Sequence, residues 1–226
     1  MRLVYAPYGI ELKLAENQVC SLVVGHPKAL REMLQNLIKQ VNGEPGEWIL
    51  SEAETIFPIA KTCTLVDNPL VVCCNEKKIL TKLYKELAES ANGILNEAYS
   101  RMNSEMVCFL EQLLQTVPYH LDMEPETDAS AIFKAYDVKI AENREEPLEM
   151  LIDYLRAMSS ICGIRVVWLL NVKHFFSEEQ VQQLYEFCFY EKIHIINIEG
   201  QKSYLLEQEN GMILDKDLCL IELSSN

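Results

Sequence analysis

A chain of 226 residues, 49% apolar and 24% charged, can build one sizeable core, or one core with a smaller appended unit, and is not composed like a disordered segment. Its formal net charge of -14 works against casual attraction to nucleic acid or anionic lipid, so a polyanionic partner needs a local basic surface or bound cations. No apolar run approaches the roughly 18 residues of a membrane span, and the opening MRLVYAPYGIELK lacks a continuous apolar stretch, so a cytoplasmic protein is expected.

Residues 4–14 alternate loosely around Pro7 and Gly9 and suggest a hairpin or edge element at the start of a sheet. Residues 19–24 form a better strand. They run into Gly25, His26 and Pro27 and then a helix with Leu30, Met33, Leu34, Leu37, Ile38 and Val41 on one stripe. A strand, glycine turn and helix is where a nucleotide-binding protein places its phosphate loop, because free N–H groups at a helix N-terminus favour anions. The loop itself is missing: GHPKALRE holds neither the second glycine nor the Lys-Ser/Thr pair of a Walker loop, and Lys28 falls too early. Short strands are expected at 48–50 and 62–66, with NGEPGE at 42–47 as a loop.

Asn75 is expected as N-cap of the longest helix, 76–116, which Gly93 or the SRMNSE segment can divide in two. Its first apolar stripe runs from Ile79, Leu80, Leu83, Tyr84 and Leu87 to Ala98, and its second comprises Met106, Val107, Leu110, Leu113 and Leu114. Unbroken, such a helix spans on the order of 60 Å. Helices of that length project and seek another helix, so an oligomer is expected. A short helix opens at Asp128 or Ser130, an extended piece covers 138–140, and Asn143 with Glu146 reads as a capping box before a helix that ends at Gly163.

The clearest unit is 163–200, GIRVVWLLNVKHFFSEEQVQQLYEFCFYEKIHIINIEG. Its first strand is apolar on both faces, Ser177 and Gln180 form a capping box, and Val181, Leu184, Tyr185, Cys188 and Phe189 give the helix one apolar face. Two strands joined through a helix pair in parallel, as a βαβ unit. Two last elements follow at 204–206 and 218–223, with a turn expected at Asn210 and Gly211.

Catalytic motifs are absent. His26, His120, His174 and His194 have no ligand-spaced partner, and no nucleophile elbow or H-E-x-x-H occurs. Cys73, Cys74, Cys108, Cys162, Cys188 and Cys219 sit in apolar runs without C-x-x-C spacing and read as buried, reduced thiols. Asp122, Glu124, Glu126 and Asp128 alternate through LDMEPETD, which suits either a solvated acidic loop or a site for a hard cation such as calcium; it is not an EF-hand loop. Lys77, Lys78, Lys82 and Lys85 open the long helix, and Lys78, Lys82 and Lys85 share the face opposite its apolar stripe. Such a stripe can neutralise phosphates without reading bases, or can be a plain solvated face, with Glu76, Glu86 and Glu89 close by.

Three segments, NEKKILTKLYKEL, LDMEPETDASAIFKAYDVKI and the βαβ unit with ILDKDLCLIEL after it, resemble the Csn-type adaptation protein of type II-A CRISPR systems. The resemblance implies an α/β head, P-loop-NTPase-like but lacking a working Walker loop, formed by 1–72 and 136–226, with an inserted extended α-helical leg at 73–135. It further implies a non-enzymatic homotetrameric ring that binds Ca2+ and encircles double-stranded DNA ends without sequence preference. Such proteins act in spacer acquisition, a step of antiviral defence, with the other adaptation proteins and the type II effector nuclease. By position Asp122, Glu124, Glu126 and Asp128 match the family's calcium segment, although Pro125 and Thr127 depart from its more acidic form. Lys77, Lys78, Lys82 and Lys85 are the candidates for the DNA-facing wall. The alternatives are a degenerate nucleotide hydrolase working at Gly25 and Lys28, and an interaction scaffold with no DNA affinity.

Overall fold

The computed structural model describes residues 1–125, 128–142, 146–201 and 204–223. The chain divides into two compact units, a head of 1–74 with 142–226 and a helical unit of 75–141. In chain order the head begins with β1 (Arg2–Tyr5), β2 (Ile10–Lys13), β3 (Val19–Val24), α1 (Pro27–Val41), β4 (Trp48–Glu52), β5 (Thr55–Phe57), the short α2 (Ile59–Thr62) and β6 (Cys63–Val66). The helical unit contributes α3 (Lys77–Asn92), α4 (Asn96–Leu114) and α5 (Ala129–Ala135). The head then resumes with α6 (Pro147–Ser160), β7 (Val166–Leu170), α7 (Glu178–Tyr190), β8 (His194–Glu199), β9 (Glu209–Leu214) and β10 (Leu220–Leu223).

Six strands form one sheet in the order β10-β9-β3-β8-β7-β6, parallel throughout except for the antiparallel edge strand β10. All six residues of β3 are buried, as a strand with neighbours on both sides and cover on both faces requires. The 4–14 segment does form a hairpin, β1 with β2, but it lies in a second, four-stranded antiparallel sheet of order β2-β1-β4-β5. The βαβ unit is present as read. Gly163 adopts φ +69 behind α6 and its N–H donates to the Ser159 carbonyl, while Ser177 and Gln180 cap α7 reciprocally.

The principal core lies where α1 meets both sheets. Met33 and Leu37 pack there with Leu3, Ile10 and Leu50, and Trp48 meets Trp168 edge-on at 4.7 Å. Gln40 behaves as a piece of extra backbone: its amide nitrogen donates to the Trp48 carbonyl and its amide oxygen accepts from the Trp48 N–H, both at 2.9 Å. The two bonds leave no buried polar backbone of Trp48 unpaired.

The helix read over 76–116 divides in two at Gly93, one of the two break points expected, where the backbone leaves helical geometry at φ -100 and ψ -95 and α4 restarts after Leu95. Glycine has the least helical preference of any residue but proline, and here it leaves Ile94 92% exposed. Asn75 does not cap α3, whose N-cap position is Glu76. The Asn75 side chain instead donates to the Ile140 carbonyl at 3.0 Å and accepts from the Ile140 N–H at 2.9 Å. Those bonds, and the Tyr84 hydroxyl donating to the Val138 carbonyl at 2.7 Å, tie residues 136–141 to the helical unit rather than to the head. Residues 138–140 are therefore held without forming a strand. Residues 204–206 are not a strand either, and Asn210 and Gly211 lie inside β9 rather than in a turn. Cys108 and Cys219 are exposed, whereas Cys20, Cys63, Cys74, Cys162 and Cys188 are buried. Asn143 lies outside the described residues; α6 begins at Pro147 with Glu146 in the N-cap position.

Candidate functional site

The lysine face follows from the amphipathic pattern of α3. Ile79 is fully buried and Tyr84 nearly so, and the Tyr84 ring meets Phe133 of α5 at 6.0 Å. With that stripe turned inward, Lys77, Lys78, Lys82 and Lys85 are all exposed. Lys78, Lys82 and Lys85 fall within one face over about 10 Å of helix, and Lys77 stands about 100° away. Lys85 Nζ lies 3.8 Å from Glu89 across an exposed pair that contributes little to stability. Burial raises the pKa of Glu76, against the pull of Lys78. The arrangement can bind phosphate oxygens through charge alone.

The acidic segment is less gathered. Asp122 Oδ1 accepts from the Met123 N–H at 2.9 Å, and Glu124 is exposed. Asp128 is the N-cap of α5, its Oδ1 accepting from both the N–H and the hydroxyl of Ser130 at 3.1 Å. Glu126 lies outside the described residues. Among the described residues no three His, Cys, Asp or Glu side chains are placed to hold a metal ion, so Asp122, Glu124 and Asp128 alone do not fit a calcium site, which needs six or more oxygens. One member of each set borders a common space: Lys85 and Asp128 line one open depression of about 650 Å³ with Thr81, Glu89, Asn92 and Ser130.

Sequence reasoning missed the state of α4. No residue of this helix is buried. The expected stripe at Val107, Leu110 and Leu114 is half-buried, and beside it Met102, Met106, Phe109 and Leu113 form a second stripe that is 40–58% exposed. The spacing of four, three and four residues was the available signal, because it puts these four side chains on a single line.

The turn after β3 stands where a phosphate loop would be expected. Two residues separate β3 from α1, the Gly25 N–H donates to the Leu214 carbonyl, and His26 Nδ1 accepts from the Ala29 N–H at 3.2 Å. Pro27 supplies no N–H, and Lys28 leans 3.7 Å from Glu32 along the helix. The helix end that would cradle a phosphate is thus capped by the chain's own imidazole. His194, the first residue of β8, is a strand residue whose burial holds its pKa below the usual value.

A mostly parallel sheet with a glycine turn from its central strand into a helix, no Walker loop and an inserted helical unit defines the class: a P-loop-like α/β protein stripped of its phosphate loop. The family model described as CRISPR-associated protein (Cas_Csn2) matches residues 40–218, and the chain belongs to that family. No match is found among curated proteins. Among solved structures, the ATP-binding cassette MJ0796 in a dimeric post-hydrolysis state bound to ADP and Pi is similar over 96% of this chain and 90% of its own, with 11% identity and a TM-score of 0.43. A putative ABC transporter ATP-binding protein from Pyrococcus furiosus is similar over 90% of this chain and 88% of its own, with 12% identity and a TM-score of 0.38. Among the described residues no helix is long and apolar enough to cross a membrane.

Proposed function

We propose that this CRISPR-associated protein is a non-catalytic, sequence-nonspecific binder of double-stranded DNA ends that works in the cytoplasm as a homotetrameric ring during spacer acquisition. The observation that carries the reading is the α3 face, where four exposed lysines stand on a helix whose opposite side is buried. Phosphate contact through such a face carries no sequence information and falls steeply with salt. Self-association is supported by α4, whose apolar stripe has no cover within the described residues. The other adaptation proteins and the type II effector nuclease are the proposed partners. Calcium, if bound by the 122–128 segment, acts on assembly rather than on chemistry, and it is tested as a separate variable.

The test is native mass by light scattering, with calcium and with chelator, beside a mobility-shift assay on linear and closed circular duplexes over a salt series. A tetramer that binds linear DNA, spares closed circles and loses affinity with salt is expected. A salt-independent affinity overturns the phosphate reading. An oligomer without DNA affinity leaves the scaffold alternative, which the α4 stripe also favours. Mass and affinity unchanged by chelator remove calcium from the reading and leave the rest standing.

A further inference from the structure

On the face of the large sheet covered by α7 lies a set of buried ionisable groups that DNA binding does not use. Glu199, the last residue of β8, and Glu209, the first of β9, are both fully buried. One ammonium is buried with them. Lys173, in the short 3-10 turn Val172–His174 after β7, donates to Glu209 Oε2 and to the Tyr204 carbonyl, both at 2.6 Å. The Tyr185 hydroxyl from α7 donates to Glu209 Oε1 at 2.7 Å and accepts from the Asn197 amide. Glu209 therefore has a donor on each oxygen and a matched charge.

Glu199 has neither. Among the described residues only the Lys173 backbone amide approaches its oxygens, short of hydrogen-bond geometry, and the Lys173 ammonium is engaged elsewhere. His174 stands at the solvent boundary, half-exposed, with Nδ1 3.4 Å from Glu199 Oε2. Among the described residues, two buried carboxylates share one buried ammonium, which leaves the cluster one positive charge short. An isolated carboxylate in such surroundings takes up a proton rather than remain charged.

We propose that the native head retains one proton at this place: Glu199 is a neutral carboxylic acid that donates its O–H toward His174 Nδ1. The pair is a proton-dependent latch at the end of β8. The titratable groups around it point the same way in sum. Burial is the largest influence and raises the Glu199 pKa; the Lys173 amide, the Lys173 ammonium and His174 oppose that rise, and Glu209 on β9 adds to it. Tyr185 from α7 and Tyr204 ahead of β9 complete the surroundings; both pKa values are raised by burial first, then for Tyr185 chiefly by Glu209, and for Tyr204 by Glu178 of α7 and then by Glu209, Glu199 and Glu179. Because the folded value lies above the unfolded one, this group's stabilisation is complete below the ordinary carboxylate range and is lost as pH rises through the folded value. Between the two, the folding equilibrium constant falls about tenfold per pH unit from this residue alone.

The proton can be seen directly. In protein labelled with 13C at glutamate side-chain carboxyls, Glu199 is assigned by the resonance that Glu199→Gln removes, and independently by the one that His174→Asn moves, should the first variant fold poorly. A resonance at the protonated-acid position at pH 7, shifting only above neutrality, is expected. Glu199→Gln, which has the shape of the protonated acid, should lack the tenfold-per-unit loss and so gain stability relative to wild type as pH rises from the ordinary carboxylate range to 7. A Glu199 resonance at the ionised position at pH 7, titrating in the ordinary carboxylate range, overturns the proposal.

Discussion

In the head, both tryptophans are taken out of water and meet edge-on, and even a lysine and a glutamate are sealed together between sheet and helix. In the helical unit, a helix of 19 residues buries none of them and turns two methionines, a phenylalanine and a leucine outward. The same chain has solved burial in one unit and deferred it in the other. A closed core leaves little for a partner to add, whereas an open stripe gains most when a partner arrives.

Lys173→Met should have the largest effect on the closed side. It leaves Glu209 buried without a charge partner and the Tyr204 carbonyl without its donor, at a cost of about 3–5 kcal/mol in urea denaturation. Phe109→Asp attacks the open side: native mass by light scattering should fall, while the denaturation midpoint of the head should move by less than about 0.5 kcal/mol in stability terms. If head stability falls instead, the stripe is part of the fold rather than a meeting surface. Replacing Lys78, Lys82 and Lys85 together by Gln should lower the slope of log affinity against log salt by about 0.9 for each phosphate no longer neutralised, without changing preference among duplex sequences. Ser177→Ala, which removes one arm of the α7 capping box, is the mildest at about 1 kcal/mol and should leave DNA affinity alone.

Elements whose signals are local were legible. The α7 capping box, the strand and glycine turn into α1, and the lysine face of α3 follow from neighbours three or four positions apart. What depends on distant pairing was not. Trp48–Glu52 and Cys63–Val66 both read as short strands, and nothing in either says that the first joins the small sheet and the second the large one. Asn210 and Gly211 carry turn chemistry, yet Gly211 serves a close approach: a Cβ there would stand 2.9 Å from the Leu223 Cβ of β10. Glu199 ends a strand as a solvated acid does, and its burial is decided by α7 and the 172–174 turn, which the strand's own residues do not announce. The acidic segment was visible by composition, but Asp128 serves as a helix cap, a role that competes with any ligand for the same oxygen.

The bonds between Asn75 and Ile140 also bear on how the chain assembles during synthesis. Cys63 pairs with Val166, so β6 must wait for β7 while the whole helical segment emerges between them. Ordinarily so long an intervening span slows the joining of two strands, because the ends have more space to explore before they meet. Asn75 and Ile140 bring the two ends of that segment together, and a segment closed in this way no longer counts toward the distance the strands must search. Whenever the helical unit closes before the sheet, it acts as a shortcut, and the large sheet can form as though most of the residues between β6 and β7 had been left out.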